Sequence, residues 1–230
     1  MPPETGSAER NPDGVWSIDA QLQTELFGLI APGMPDEASR RAAYFARVTN
    51  SGLAVEVSAF YAALYAQAYF DSDLDSLLRN AQARFPSDSQ LYEIVETVFN
   101  WHALNPDDWR VSRALIRERY DDDPMWWAAK VNFASTLMAL LYGEGDLLQT
   151  MTLAGLAGWD ADNNMTTAAT TKSGRGVDAG RLGDAAVGAG AEDVDGLAIR
   201  AEGDLAEHLD EVALVANGDA GTELAAEEDV

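Results

Sequence analysis

Apolar residues recur at helical spacing through most of the first 156 residues. In residues 17–30, for example, Leu22, Leu26 and Leu29 lie three or four positions apart, which places them on one face of a helix. The same spacing predicts helices at residues 53–70, 87–103, 124–142 and 146–156, and a further helix that opens at Pro106. No stretch alternates with a period of two for long, so the sequence predicts an all-α, compact multi-helix domain.

The composition changes abruptly near residue 166. All 20 aromatic residues lie at or before Trp159, and ten of the 19 glycines follow residue 165. Residues 166–230 hold 15 acidic and 4 basic side chains and no proline, a composition that can bury little surface. We therefore predict a helical domain at residues 15–169 and a loose, acidic, Gly/Ala-rich tail at residues 170–230.

The tail allows two interpretations. Ala, Asp, Glu, Gly and Val dominate it, and the codons of all five begin with G. A GC-rich gene that is read out of register can produce this bias, so the tail is either frameshifted or a genuine disordered acidic extension. Reading the same nucleotides in the other two frames distinguishes these interpretations, because only a frameshift predicts an Ala/Gly/Leu-rich helix there.

The charge is strongly negative. Asp and Glu number 39 against 15 Lys and Arg, for a net charge of -24, and Lys130 and Lys172 are the only lysines. This acidity excludes nucleic acid as an expected partner, because the chain repels phosphate backbones. A lysine-poor acidic surface is typical of proteins in a salt-filled cytoplasm, so the sequence predicts a halophilic protein.

The charge also predicts a dependence of stability on salt. We expect the melting temperature to rise by several degrees between 0.1 M and 2 M KCl, because salt screens the self-repulsion of the folded chain. For a chain of this size, each 1 kcal/mol of stability gained by screening raises the melting temperature by roughly 2–4 °C. Thermal unfolding across the KCl series measures the effect, and a flat or falling melting temperature would show that the acidity is not an adaptation to salt.

Other sequence features limit the cellular setting. The chain has no cysteine, which excludes disulfides and thiolate metal sites. Lys130, Asn132 and Glu144 interrupt the longest apolar stretches, so no membrane-spanning segment is predicted. The first sixteen residues lack the basic-then-apolar order of a signal peptide. These features favour a soluble cytoplasmic protein.

Two segments carry clusters of side-chain oxygens. The later one, Gly158-Trp159-Asp160-Ala161-Asp162-Asn163-Asn164, supplies the hard oxygen ligands that Mg²⁺, Mn²⁺ and Ca²⁺ prefer. An EF-hand loop would need Gly and Glu where Met165 and Thr171 stand, so that motif is excluded. A helix N-cap or a turn remains the alternative to a metal site.

The earlier segment is Ser17-Ile18-Asp19-Ala20-Gln21-Leu22. Alone, it is typical of a helix that begins with a serine cap. Together, the two segments resemble the ADP-ribosylglycohydrolase family, which has an early Thr-Asp-Asp-Thr-Gln-Met segment and a late Gly-x-Asp-x-Asp-(Ser/Thr/Asn) segment. The matching positions are Ser17, Asp19, Gln21, Asp160, Asp162 and Asn163. Similar stretches lie between them at residues 49–52, 60–65, 132–135 and 141–146.

The resemblance implies the chemistry of the site. It implies a binuclear magnesium centre, with Mn²⁺ as an alternative ion, that orients the ribose hydroxyls and activates water for hydrolysis of an N- or O-glycosidic bond at C1″ of ADP-ribose. The implied substrate is an ADP-ribosylated protein or a small ADP-ribose conjugate. The implied ligands are Ser17, Asp19, Asp160, Asp162 and Asn163. Asn50 is implied in binding ribose or phosphate, or alternatively caps the helix that starts near Leu53. No catalytic acid or base is assigned.

Three departures from the family pattern support an alternative function. Sixteen polar residues stand where the family has a further helical segment, so we expect that segment to be lacking. Ile18 stands where the first acid belongs, and an apolar side chain cannot coordinate a metal. The resemblance also ends at about Ala169. The alternative is therefore a catalytically inactive helical remnant or a binding module of the same fold.

Weaker candidates receive simpler interpretations. His102 is interpreted as a partly buried surface histidine, and His208 lies in the tail. Trp126 and Trp127 are predicted to lie in the core rather than to stack on a base. Asp121-Asp122-Asp123 is interpreted as a solvated loop, with a weak cation site as the alternative.

Overall fold

The computed structural model describes residues 4–122 and 125–174. Over these ranges the chain forms ten helices and no strand; an isolated bridge pairs Ser17 with Ala128. The all-α prediction is confirmed. The helices are α1 (Asp19–Thr24), α2 (Leu26–Leu29), α3 (Pro35–Ala46), α4 (Leu53–Ala68), α5 (Leu74–Gln82), α6 (Gln90–Leu104), α7 (Trp109–Tyr120), α8 (Ala129–Tyr142), α9 (Leu147–Ala157) and α10 (Ala161–Gly174).

Helices α4 and α8 form the centre of the domain. Both are buried over nearly their whole length, which explains why apolar and small residues occupy all their faces. Phe60 of α4 and Phe133 of α8 pack edge to face, with ring centroids 5.1 Å apart. α1 packs on α4, and α10 packs on α8, α9 and α4. The two central helices therefore support both segments that the sequence singled out.

Capping side chains set several helix starts differently from the sequence prediction. α6 begins after Ser89 rather than at residue 87, because the Ser89 hydroxyl accepts the Tyr92 N–H at 3.2 Å. α7 begins after Asp108, whose carboxylate accepts the Arg110 N–H at 3.0 Å, so Pro106 precedes the helix. Asp146 caps α9 in the same way.

The helix predicted at residues 17–30 divides into α1 and α2 at Glu25. The serine cap interpretation is wrong, because Ile18 occupies the N-cap position and makes no side-chain cap hydrogen bond. The Ser17 hydroxyl instead donates to Asp19 Oδ2 at 2.7 Å. At the start of α1, the Ser17 hydroxyl therefore bonds to the Asp19 side chain rather than to the helix backbone.

Helix α10 continues beyond the predicted start of the tail. It ends at Gly174, and Thr171 is fully buried, with its hydroxyl donating to the Thr167 carbonyl at 2.9 Å. The expectation of low burial after about residue 170 is therefore wrong at Thr171. The rest of that expectation, and His208, concern residues 175–230, which lie outside the described residues.

No helix within residues 4–122 and 125–174 has both the length and the apolar character that crossing a membrane requires.

Candidate functional site

A left-handed turn leads into α10. Gly158 and Trp159 have φ angles of +87° and +56°; glycine adopts such angles without strain, whereas tryptophan needs support. Arg113 of α7 supplies it: its Nε donates to the Ala157 carbonyl at 2.8 Å, and its guanidinium lies 5.1 Å from the centre of the Trp159 ring. The turn places Asp160 directly before α10, where the helix dipole favours a negative charge.

Asp160 is a buried carboxylate beside two others. It is 4% exposed, and its Oδ1 accepts the Asn163 Nδ2–H at 2.7 Å. Burial raises the pKa of Asp160, the Asn163 hydrogen bond lowers it, and the carboxylates of Asp162 and Asp19 raise it further. Asp19 therefore lies within electrostatic reach of Asp160, although it comes from the opposite end of the domain sequence.

Asn132 of α8 holds the start of α10 in place. Its Oδ1 accepts the Asp160 N–H at 2.9 Å and the Asn164 Nδ2–H at 2.8 Å. Its Nδ2 donates to the carbonyls of Trp126 and Ala128, both at 2.9 Å. The Asn132 side chain is fully buried, so these four hydrogen bonds satisfy its own amide groups, which water does not reach. Sequence reasoning missed this role; its signal is a lone amide within the apolar helix α8.

The same end of α8 also holds the early segment. The Ile18 N–H donates to the Trp127 carbonyl at 3.0 Å, and the Ala129 N–H donates to the Trp16 carbonyl at 2.9 Å. These two bonds form the isolated bridge between Ser17 and Ala128. The start of α8 thus contacts both oxygen-rich segments.

Asn50 contacts Ser17 and does not cap α4. The N-cap of α4 is Gly52, so the loop-cap interpretation of Asn50 is wrong. The Asn50 Nδ2 group donates to the carbonyls of Gly14 and Ser17 at 3.0 and 2.9 Å. Asn50 is 1% exposed, and its Oδ1 has no hydrogen-bond partner among the described residues. A buried acceptor is therefore left for a donor that residues 4–122 and 125–174 do not supply.

A cleft of about 250 Å³ opens beside Asn50, at the start of α4. Gly52 has a φ of +59°, and nothing lies within 4 Å of the position that a Cβ would take there. The lining residues are Glu4, Ser7, Arg47, Asn50, Ser51, Gly52, Val55 and Glu56. The cleft therefore combines a helix N-terminus, one arginine, two glutamates and the hydroxyl groups of two serines.

The five predicted ligands differ in exposure. Ser17 and Asp160 are buried, Asn163 is half-buried, and Asp19 and Asp162 are exposed. Ile18 is 1% exposed and contributes no oxygen. Within residues 4–122 and 125–174, no group of three or more His, Asp or Glu side chains is placed to hold a metal ion. The binuclear centre therefore stays a prediction.

A second buried carboxyl group, which sequence reasoning missed, lies next to this region. Glu25 follows α1, and its Oε1 accepts the Thr167 Oγ1–H at 2.6 Å. Burial raises the pKa of Glu25, and hydrogen bonds from Thr167, Tyr65 and Gln21 lower it. Sequence spacing gave no signal of this role, because a glutamate at this position is usually solvated.

We predict that Glu25→Gln makes the protein more stable at pH 8 by about 1–3 kcal/mol, because the folded state no longer holds a buried charge. Glutamine keeps the acceptor oxygen for Thr167. The pKa of Glu25 is raised in the folded state, so the wild type loses stability as the pH rises through that pKa. The difference between variant and wild type should therefore vanish below about pH 4.5, the ordinary pKa. Urea unfolding at both pH values measures it, with exposed Glu118→Gln as control; an unchanged difference at pH 4 and 8 would contradict the prediction.

The weaker candidates supply none of the five predicted ligands. His102 is half-buried, with its ring 4.7 Å from that of Tyr142. The core prediction is wrong for Trp126, which is 54% exposed and contacts Trp127 edge to face. Asp122 is exposed and forms an ion pair with Lys130.

Comparison with known proteins assigns the family. No curated protein and no solved structure matches the chain significantly. A sequence model of the ADP-ribosylglycohydrolase family matches residues 2–171, starting before Val15, where the sequence resemblance was expected to begin. The match covers most of the domain that contains both oxygen-rich segments. The chain therefore belongs to the ADP-ribosylglycohydrolase family.

Proposed function

We propose that this chain is a magnesium-dependent hydrolase that cleaves an N- or O-glycosidic bond to ADP-ribose. Family membership supports a hydrolase of the ADP-ribosylglycohydrolase type. The observation that carries the metal-dependent part is that the start of α8 holds both oxygen-rich segments: Trp127 bonds to Ile18, and Asn132 bonds to the Asp160 N–H. The net charge of -24 supports the proposal that the protein functions in a salt-filled cytoplasm.

The chemistry of the five proposed ligands fits magnesium. Three carboxylates, one hydroxyl and one amide are hard oxygen donors, which Mg²⁺ and Mn²⁺ prefer. Buried Asp160 lies beside two like charges, and a divalent cation would relieve their repulsion. Ser17, Asp19, Asp160, Asp162 and Asn163 would hold two ions. When bound, the ions supply Lewis-acid polarisation and lower the pKa of water.

Residues of the cleft would bind the substrate. The free Oδ1 of Asn50 would accept a hydrogen bond from a ribose hydroxyl, because it is a buried acceptor without a partner among the described residues. Arg47 and the N-terminus of α4 would contact the diphosphate through positive charge and N–H groups, against the repulsion of Glu4 and Glu56, which also line the cleft. Gly52 leaves open space for the ligand to approach the backbone. The expected substrate is an ADP-ribosylated protein or a small ADP-ribose conjugate.

Hydrolysis assays in molar KCl test this proposal. We expect the purified protein to release ADP-ribose from at least one of arginine-linked, serine-linked and small-molecule conjugates. Removal of metal with EDTA should lower the rate at least about 100-fold, because metal activation of water contributes several kcal/mol. Added Mg²⁺ should restore it. A rate that EDTA leaves unchanged would contradict the magnesium-dependent mechanism.

The second candidate is an inactive binding module, which the buried Ile18 favours because the family has an acid there. This candidate predicts that ADP-ribose binds while no conjugate is hydrolysed. Calorimetric titration of ADP-ribose with Mg²⁺ present, beside the hydrolysis assay, distinguishes the two. Binding together with turnover would exclude the inactive module.

A further inference from the structure

The hydroxyl of Thr167 joins α10 to the region of α1. Thr167 is fully buried, and its Oγ1 accepts the Gln21 Nε2–H at 2.8 Å while it donates to Glu25 Oε1 at 2.6 Å. Its backbone carbonyl accepts the Tyr65 hydroxyl at 3.1 Å. One side chain thus makes hydrogen bonds to Gln21 within α1 and to Glu25 at its C-terminal end. We call Gln21, Glu25 and Thr167 the α1–α10 link.

This link joins two helices whose main neighbours differ, although both pack on α4. α1 packs on α3 and α4, whereas α10 packs on α8, α9 and, less extensively, α4. Apolar packing alone therefore constrains α1 and α10 largely through third elements. Directional hydrogen bonds between the two helices constrain their relative position more tightly, because they fix both a distance and an angle.

The link is built into the helices that carry the proposed metal ligands. Gln21 lies two residues after Asp19 in α1, and Thr167 lies about two turns after Asp160 in α10. A helix behaves as a rigid element over two turns. A shift at Thr167 would therefore move Asp160 relative to Asp19.

We propose that Thr167 is a positioning residue that fixes the separation of α1 and α10 and hence the placement of Asp19 relative to Asp160. The positioning of the helices stands by itself, and its effect on metal binding rests on the proposed function. The role requires a group that both donates and accepts. Serine retains this ability, whereas valine, which has nearly the same shape as threonine, lacks it.

Spin labels test the position of the helices without metal. The chain has no cysteine, so Gln23→Cys and Thr166→Cys, at exposed positions of α1 and α10, can be labelled selectively. We expect Thr167→Val to broaden or shift the distance distribution between the labels and Thr167→Ser to preserve it. Thr170→Val is the matched control, because the Thr170 hydroxyl bonds to the Thr166 carbonyl within α10. An unchanged distribution in Thr167→Val, or an equal change in Thr170→Val, would overturn the proposal.

Magnesium titration tests the consequence for the site. We expect Thr167→Val to weaken Mg²⁺ binding about 10–100-fold, the usual effect of removing a group that orients ligands. Thr167→Ser and Thr170→Val should remain within about threefold of the wild type. Equal affinity in Thr167→Val and wild type would overturn the proposal. A wild type that binds no Mg²⁺ would instead refute the proposed function, and the label distances would still decide the role of Thr167.

A second variant shows whether an effect of Thr167→Val comes from loss of the link or from misfolding. Gln21→Met removes the donor to Thr167 but nearly preserves volume, and the Gln21 Oε1 has no partner to lose among the described residues. We expect it to change the label distances in the same direction as Thr167→Val. Circular dichroism confirms the fold of each variant before labelling. If Gln21→Met folds and leaves the distances unchanged, the link does not position the helices.

Discussion

Replacing Asp160 with asparagine is expected to lower the affinity for Mg²⁺ at least about 100-fold, because loss of a ligand costs more than the 10–100-fold typical of groups that only orient one. In the absence of metal, the same variant should melt at a higher temperature. Asp160 is buried beside the carboxylates of Asp162 and Asp19, so a neutral amide removes repulsion in the folded state. Its oxygen can still accept the Asn163 amide.

The opposite signs of these two effects separate the metal site from a turn. If Asp160 served only as a helix cap, asparagine would replace it with little change, because the two residues cap helices almost equally well. Calorimetric Mg²⁺ titration in molar KCl and thermal unfolding without metal measure both effects. Asp88→Asn, at an exposed position, is the control. Wild-type Mg²⁺ affinity in Asp160→Asn would rule out Asp160 as a ligand.

Replacing Asn132 with alanine is expected to cost about 3–5 kcal/mol of unfolding free energy. The variant leaves the Asp160 N–H and the Asn164 amide without their buried partner, and each such group costs about 1–3 kcal/mol. The carbonyls of Trp126 and Ala128 also lose a hydrogen bond. Because Asn132 holds the start of α10, Mg²⁺ affinity should fall as well.

Urea unfolding compares Asn132→Ala with Asn80→Ala. Asn80 is an exposed residue of α5 whose amide donates to the Ser76 hydroxyl at 3.2 Å. The control should lose less than about 1 kcal/mol, as is usual for surface positions. If Asn132→Ala loses no more unfolding free energy than this control, the four hydrogen bonds of Asn132 contribute little to holding α10 on α8.

The helical class could be predicted because burial imposes a regular spacing. α4 and α8 are buried on all sides, and their unbroken apolar and small residues indicate this directly. α3 was not predicted, because only alanines of its sequence are buried and two arginines lie within it. Spacing also failed at residues 17–30, where a buried glutamate divides the helix in two.

The candidate site could be predicted only in part. The paired motifs predicted Asp19 and Asp160 as ligands, and the start of α8 contacts both of the segments that carry them. Their role as ligands stays a prediction. Asn132 and Thr167 were missed, because their roles depend on partners far away in the sequence. Spacing within one helix does not reveal which polar side chain meets a distant partner.

Anomalous diffraction from crystals soaked in Mn²⁺ tests the central claim most directly, because it locates each ion and its ligands. The account predicts two peaks roughly 4 Å apart between Asp19 and Asp160. Ser17, Asp162 and Asn163 should complete their coordination. Absence of any peak there, ions bound only at the exposed acids near Asp122, or a separation of more than about 12 Å between Asp19 and Asp160 would contradict the account.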